Sequence, residues 1–348
     1  MTDFRQHLIN TDCLIKEALA QLNILASDAI LFVVDEDFIL VGSLTDGDVR
    51  RGFLKGLNFY NKVIEFIQPN PKFIVKGKYS IQTIIDFRNR SFRIVPVVDD
   101  DNRVVSIVNF RFKKSYLPID VVVMAGGRGE RLRPLTDEMP KPLLQVGNKP
   151  IIEHNIDRLA SYGVDDFWLT LRYRGNQLEE YFGDGTNKSI NIRYIHEDIP
   201  LGTIGAARKI ENFFHDTVLV TNSDILTNLD YEDFFLSFIG SGADLSVVTI
   251  PYEVNVPYAV LETSNGHVMS FKEKPTYTYY SNGGIYLMKR DIIGLIPEGL
   301  FYNATDLMEN LIKLGKKVHS YPLHGYWLDI GKMEDFEKAQ QDIKHVRF

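Results

Sequence analysis

The sequence predicts an α/β protein, a Rossmann-like mixed, mainly parallel sheet with flanking helices, preceded by a smaller α+β unit. Three observations carry this. From Ile119 onward, short apolar strands alternate with helical patterns, the signature of a parallel sheet. Before it, a helix–strand–strand pattern occurs twice. And 348 residues exceed one ordinary domain, whereas two fit the usual size range. The expected domains are residues 1–115 and 116–348, with Arg111 to Pro118 as the linker.

In the first unit, Phe32-Val-Val-Asp-Glu-Asp-Phe-Ile-Leu-Val-Gly-Ser aligns with Pro96-Val-Val-Asp-Asp-Asp-Asn-Arg-Val-Val-Ser-Ile. Each copy is a strand, an acidic turn and a second strand, which is a hairpin signal. Each follows an apolar stripe at helical spacing: Ile15, Ala18, Leu19 and Leu22 in one, Ile81, Ile84 and Ile85 in the other.

In the second unit, Val121 to Val123 form a β-branched run that reads as a buried strand. It runs into Gly126-Gly127-Arg128-Gly129, where three glycines in four positions let the backbone approach a ligand. Arg128, Arg131, Arg133 and Lys141 add positive charge. Backbone N–H groups beside such cations suit a nucleotide's phosphates; a glycine-rich turn beside a solvated basic patch is the plainer alternative. No Lys-Ser or Lys-Thr follows, so this is not a P-loop. Leu132 stands where a dinucleotide fingerprint needs its third glycine.

Further along, Ile151, Ile152, Ile156, Leu159 and Ala160 form an amphipathic helix that ends at Gly163. Phe167 to Leu171, Asn191 to Ile195 and Val218 to Thr221 read as strands, Gln177 to Phe182 as a short helix, and Ser264-Asn-Gly-His as a hairpin turn. Tyr252 to Tyr258 and Tyr277 to Tyr280 read as irregular pocket loops, and Met333 to His345 as an exposed helix. Open α/β sheets place ligands at the carboxyl ends of strands. That draws attention to Glu197-Asp-Ile-Pro-Leu-Gly-Thr, where Gly202 and Gly205 precede a helix, and to Asp224, a lone carboxylate suited to Mg²⁺.

Bulk properties bound the partners. A net charge of −7 argues against a general nucleic-acid binder. The single cysteine, Cys13, excludes an intrachain disulfide and fits a reducing compartment. No apolar run approaches a membrane span and no signal peptide is visible, so a cytoplasmic location is expected.

The stretch Gly126-Gly-Arg-Gly-Glu-Arg-Leu-Arg-Pro-Leu-Thr, closed by Lys141-Pro142, resembles the sugar-1-phosphate nucleotidyltransferase family. Four later segments are similar to that family's motifs: Asp224, Phe271-Lys-Glu-Lys-Pro, Asn282-Gly-Gly-Ile-Tyr and Trp327-Leu-Asp-Ile-Gly. The resemblance implies the nucleotidyltransferase fold and transfer of a nucleoside monophosphate to a sugar 1-phosphate. It implies nucleotide binding by Ala125, Gly126, Gly127, Gly129, Arg131, Glu197, Gly202 and Thr203. Glu273, Lys274 and Asn282 would hold the sugar phosphate, and Asp224 and Asp329 a Mg²⁺ ion. Arg131, Lys141, Asp224 and Lys274 would be catalytic. The form E-x-x-P-L-G-T-x-G looks most like the guanylyltransferase branch, making GTP the expected donor. Glucosamine 1-phosphate is the favoured acceptor, with mannose and heptose 1-phosphates, other nucleotide donors and a catalytically silent regulator as alternatives. Three positions depart from the pattern: Ser223 and Ala259 replace glycines, and Glu130 stands where many relatives carry Thr or Ser.

The repeated first unit resembles a tandem pair of CBS domains, which implies an adenine or guanine nucleotide as regulatory ligand and a homodimer or higher homo-oligomer. Its G-x-x-[ST]-x-x-D motif is complete in copy one, at Gly42, Thr45 and Asp48, and absent from copy two, where Ser106, Asn109 and Phe112 stand. Thr45-Asp46-Gly47-Asp48 is equally an ordinary helix-cap sequence.

Overall fold

The computed structural model describes residues 4–346. The chain divides into two compact units: Met1–Pro118 with Ala160–Val164, and Ile119–Leu159 with Asp165–Phe348.

The first unit begins with β1 (Leu8–Asn10), α1 (Ile15–Leu25), β2 (Leu31–Val34), β3 (Leu40–Leu44) and α2 (Asp46–Leu54). There follow β4 (Gln68–Pro69), β5 (Ile74–Val75), α3 (Ile81–Asn89), β6 (Ile94–Val98) and β7 (Val104–Asn109). The repeat is therefore β-α-β-β rather than helix–strand–strand. Its leading strands, three and two residues long, are too short to leave a period in the sequence. Each leading strand pairs parallel with the next, and each second pair is an antiparallel hairpin. The copies meet where Leu40 N–H donates to Asn102 O at 3.0 Å, and they share the buried cluster Val34, Val98 and Val104. Ser115 to Leu117, expected in a linker, is buried.

The second unit opens with β8 (Asp120–Met124), a small hairpin of β9 (Gln145–Val146) and β10 (Lys149–Pro150), α4 (Ile151–Ser161), β11 (Asp166–Leu171), α5 (Gly175–Phe182) and β12 (Asn191–His196). It continues through β13 (Thr217–Asn222), β14 (Ile225–Thr227), α6 (Tyr231–Ser241), β15 (Leu245–Asn255), β16 (Val260–Ser264), β17 (His267–Lys272) and β18 (Thr276–Lys289). The last elements are α7 (Arg290–Ile293), α8 (Ala304–Lys313), β19 (Val318–Pro322), β20 (Trp327–Asp329) and α9 (Met333–Asp342).

Its seven-stranded sheet has the order β12-β11-β8-β13-β18-β15-β19, and only β18 runs against the others. This is the expected mixed, mainly parallel sheet. Val121, Val122 and Val123 are fully buried, as a central parallel strand covered on both faces requires. On one side lies a core built from Val122, Val218, Val220, Leu245, Tyr286, Met288, Leu307 and Leu311. Helix α6 is bounded as its sequence dictates. Asp230 caps its start by accepting the N–H groups of Glu232 and Asp233, and Gly242 ends it at φ +64°.

One sequence expectation fails here. Tyr252 to Tyr258 and Tyr277 to Tyr280 are not irregular loops. Most of both segments belongs to the long antiparallel pair β15–β18, which continues in register from Thr249↔Asn282 to Asn255↔Thr276. Alternating Tyr and Thr have high strand propensity, and the partner strand supplies the order that each segment alone does not display.

Candidate active site

The carboxyl ends of β8, β11 and β13 open into a cavity of about 530 Å³. Its floor is the glycine loop after β8. Gly129 stands at φ +65°, and a Cβ there would come within 2.9 Å of Lys141 Cβ. A Cβ on Gly126 would meet Glu197 Oε1 at 3.0 Å, whereas one on Gly127 would meet nothing within 4 Å. Two of the glycines thus serve the protein's own packing, and Gly127 leaves open space toward the cavity. Arg128 and Glu130 face one another at 4.0 Å on the rim, so the unexpected acid finds a basic neighbour.

Gly126, Gly127, Gly129, Arg131, Lys141, Glu197, Gly202, Thr203 and Asp224 all line this cavity. Glu197 holds the loop that follows it. Its Oε2 accepts the Leu201 N–H at 3.1 Å, and burial raises its carboxyl above the usual range while Leu201, Thr170 and Arg172 oppose the rise. Gly202, at φ +77°, passes so close to Tyr302 that a Cβ would lie 2.5 Å from the carbonyl oxygen. Thr203 Oγ1 accepts the Ala304 N–H and so secures the start of α8.

Deeper in, Lys141 Nζ pairs with Asp224 Oδ2, both side chains being largely buried. Asp329 comes alongside because β14 and β20 pair Ile225 with Asp329, and Ile330 N–H donates to Asp224 O at 3.0 Å. The carboxyl of Asp329 is raised, first by burial and then by Asp224, with Lys141 and Arg131 opposing. Oδ1 of Asp224 and Oδ1 of Asp329 are both buried without a hydrogen-bond partner. Two adjacent carboxylates with one orphaned oxygen each form a donor set that fits a divalent cation.

Other expected residues lie elsewhere. Ala125 is buried behind the loop, where its N–H donates to Thr170 O at 3.0 Å. Asn282 sits midway along β18; its Oδ1 accepts the Gly284 N–H and the Tyr286 hydroxyl. Glu273 and Lys274 are exposed and do not line the cavity; Lys274 has φ +42°. In the first unit, Thr45 and Asp48 bond to each other at 2.6 Å, and Asp48 also accepts the Thr45 N–H and pairs with Arg51. They cap α2. Sequence reasoning did not single out Thr170, Arg172, Asn222 or Phe301, which also line the cavity. The first three lie at strand ends, where the carboxyl-end rule could have found them. Phe301 follows α7 in a segment with no signal.

A second acidic group lies at the other end of the sheet. Asp120, Asp166 and His215 bring one potential ligand atom each to within 4.8 Å of one another. Asp120 Oδ2 accepts the His215 N–H at 2.8 Å, and Asp166 Oδ1 accepts from Arg193 at 3.0 Å. Burial, with Asp166 adding to it, pushes the Asp120 carboxyl up to about 7. Arg193 already supplies a positive charge there. Asp120 begins β8 and Met124, a cavity residue, ends it, so roughly 13 Å of strand separates this group from the cavity.

The sequence pattern of the family described as Nucleotidyl transferase matches residues 120–346. A UTP–glucose-1-phosphate uridylyltransferase of Synechocystis sp. is 30% identical over 65% of this chain and 65% of its own length, so the match spans about two thirds of that relative. A D-glycero-alpha-D-manno-heptose 1-phosphate guanylyltransferase of Aneurinibacillus thermoaerophilus is 32% identical over 65% of this chain and 99% of its own. Among solved structures, HddC from Yersinia pseudotuberculosis complexed with GMP-PN has a TM-score of 0.50 and 28% identity over 64% of this chain and 99% of its own. No helix among the described residues is long and apolar enough to cross a membrane.

Proposed function

The chain belongs to the nucleotidyl transferase family, and from that premise we propose that it transfers GMP from GTP to a sugar 1-phosphate, releasing pyrophosphate. The observation that carries this is the convergence in one cavity of the glycine loop, Arg131, Lys141 and Asp224, with Asp329 beside them. The guanine preference rests on the Glu197 to Gly205 segment and on the guanylyltransferases among the relatives. Glucosamine 1-phosphate is the acceptor we favour.

In this reading a phosphate oxygen of the sugar 1-phosphate attacks the α-phosphorus of the triphosphate, the new P–O bond forms, and pyrophosphate leaves with the bonding electron pair. The attacking oxygen is already ionised, so no general base is needed; positioning and charge neutralisation do the work. Gly126 to Gly129 bring backbone N–H groups to the phosphates, and Arg131 neutralises them. Lys141, held in the cavity by Asp224, supplies the second positive charge. Gly202 and Thr203 flank the base. Asn282 and Glu273 hold the sugar, Glu273 by accepting its hydroxyls, and Lys274 receives the sugar phosphate. Asp224 and Asp329 would hold Mg²⁺, which supplies electrostatic stabilisation of the charge developing on the phosphates.

We read the first unit, residues 1–115, as a tandem CBS pair, on the strength of its two β-α-β-β copies. Thr45 and Asp48 fit the cap of α2 and need no ligand to account for them.

The test is a matrix of four nucleoside triphosphates against a panel of sugar 1-phosphates with Mg²⁺, read as pyrophosphate release. The expected result is turnover with GTP and an amino-sugar 1-phosphate. Turnover with another nucleotide only would overturn the guanine assignment, and no turnover with any pair would sink the reaction.

A further inference from the structure

Three neighbouring strand ends form the wall of the cavity away from Asp224 and Asp329. In the sheet, β11 lies between β8 and β12, and Arg172 is the first residue beyond its last, Leu171. On one side, a Cβ on Gly126 would come within 3.4 Å of Arg172 Cβ. On the other, Glu197 follows β12, and its N–H donates to Leu171 O at 2.8 Å. Arg172 lines the cavity and is half-buried, yet it has no hydrogen-bond or ion-pair partner among the described residues. Its charge acts only at a distance, where it opposes the rise of the Glu197 carboxyl. The other cations of the cavity are engaged. Lys141 pairs with Asp224, Arg131 bears on Asp329, and Arg128 faces Glu130 at 4.0 Å. Half burial takes water from a guanidinium, and its fixed fork of donors then awaits acceptors from a ligand.

We infer that Arg172 reads the base of the bound nucleotide, donating to the O6 and N7 acceptors of guanine; this rests on the reaction proposed above. Position separates base from phosphate. Asp224 follows β13, and β13, β8 and β11 are successive neighbours in the sheet. Two strand spacings, about 10 Å, therefore set Arg172 apart from that carboxylate. A triphosphate held by the glycine loop, Lys141 and Asp224 directs its ribose and base toward β11 and β12, where Gly202 and Thr203 also line the cavity. Chemistry separates guanine from the other bases. A guanidinium fork spans two adjacent acceptors, and guanine presents them. Adenine sets an amino donor beside its N7, cytosine offers an amino donor, and uracil a single carbonyl.

Titration of the full chain with GTP, 7-deaza-GTP, ATP and inorganic triphosphate, each with Mg²⁺, tests this in the natural sequence and in Arg172→Met, the variant checked for a cooperative melt. The deaza analogue carries a C–H in place of N7. Arg172→Met should bind GTP about 10–100-fold more weakly than the natural chain does, the range of one good bidentate pair. It should bind inorganic triphosphate as the natural chain does, and GTP and 7-deaza-GTP alike. The natural chain alone gives a reading that does not depend on the variant: it should prefer GTP over 7-deaza-GTP by roughly tenfold, one charge-assisted hydrogen bond. Equal loss of GTP and inorganic triphosphate in the variant would make Arg172 a phosphate ligand and overturn the inference, as would a natural chain indifferent to N7. A GTP preference that survives Arg172→Met would overturn the inference alone. A natural chain that binds GTP no better than ATP would overturn the guanine reading, and the inference with it.

Discussion

Two carboxylate groups stand at opposite ends of the central sheet, and their surroundings set them to different tasks. At the carboxyl ends, Asp224 and Asp329 lie beside an open cavity with Lys141 between them and the glycine loop, and one oxygen of each is left without a partner. At the amino ends, Asp120 and Asp166 are enclosed, and Arg193 stacks on Trp168 and Phe214 while it pairs with Asp166. Both groups crowd negative charge. Only the first leaves room for a cation to arrive together with a phosphate. In the second, Asp120 Oδ1 is likewise buried without a hydrogen-bond partner, but the group is enclosed and answers its charge with an arginine and a raised carboxyl. Proximity of acids alone does not identify a metal site; access and the neighbouring charges decide.

The largest expected effect separates the two ends by activity. Asp224→Asn should lower kcat by about 10²–10³-fold, since the lost charge acts on the reacting phosphates. Asp120→Asn should leave kcat within about twofold. Steady-state pyrophosphate release on both variants, each checked for a cooperative melt, decides it. Near-normal turnover of Asp224→Asn would remove the cavity carboxylate from the reaction.

The second effect concerns stability and pH. The folded-state carboxyl of Asp120 is raised to about 7 from an ordinary value of 3.8. Its stabilising contribution is therefore complete below about pH 4 and is lost as pH rises through 7. A shift of that size corresponds to roughly 4 kcal/mol as an upper bound. The melting temperature of the natural chain should fall between pH 5 and pH 8, and Asp120→Asn should flatten that fall. An unchanged pH profile in the variant would show that Asp120 titrates normally.

How legible these two ends were in the sequence differs for a physical reason. The glycine loop is local: Gly126 to Gly129 follow a strand, and their conformational freedom can be inferred without the rest of the chain. Asp224 was found by its place at a strand end and Asp329 by its motif. Their convergence depends on the pairing of β14 with β20, across about a hundred residues. The Lys141–Asp224 pair spans 83 residues in the same way. Asp120 gave no signal, because one acid before a run of valines reads as a strand boundary, and only the parallel register of β8 with β11 brings Asp166 near it. Tyr252 to Tyr258 and Tyr277 to Tyr280 look irregular in the sequence because β15 and β18 specify each other rather than themselves. Sequence carried the local chemistry well, and tertiary pairing carried the rest.

The smallest effect tests which end takes the ion. Mg²⁺ added to the protein without nucleotide must compete with the ammonium of Lys141 for Asp224. Its affinity should therefore be modest, and at an excess of a few times Kd the gain is about 1 kcal/mol. For a unit of this size that amounts to about 2–4 °C in Tm. Thermal melts with and without Mg²⁺ should show the shift in the natural chain and in Asp120→Asn, and lose it in Asp329→Asn. The reverse pattern, with the shift lost in Asp120→Asn and kept in Asp329→Asn, would place the ion at the amino ends. Arg193 would then have to be displaced from Asp166, and the contrast between the two carboxylate groups would be inverted.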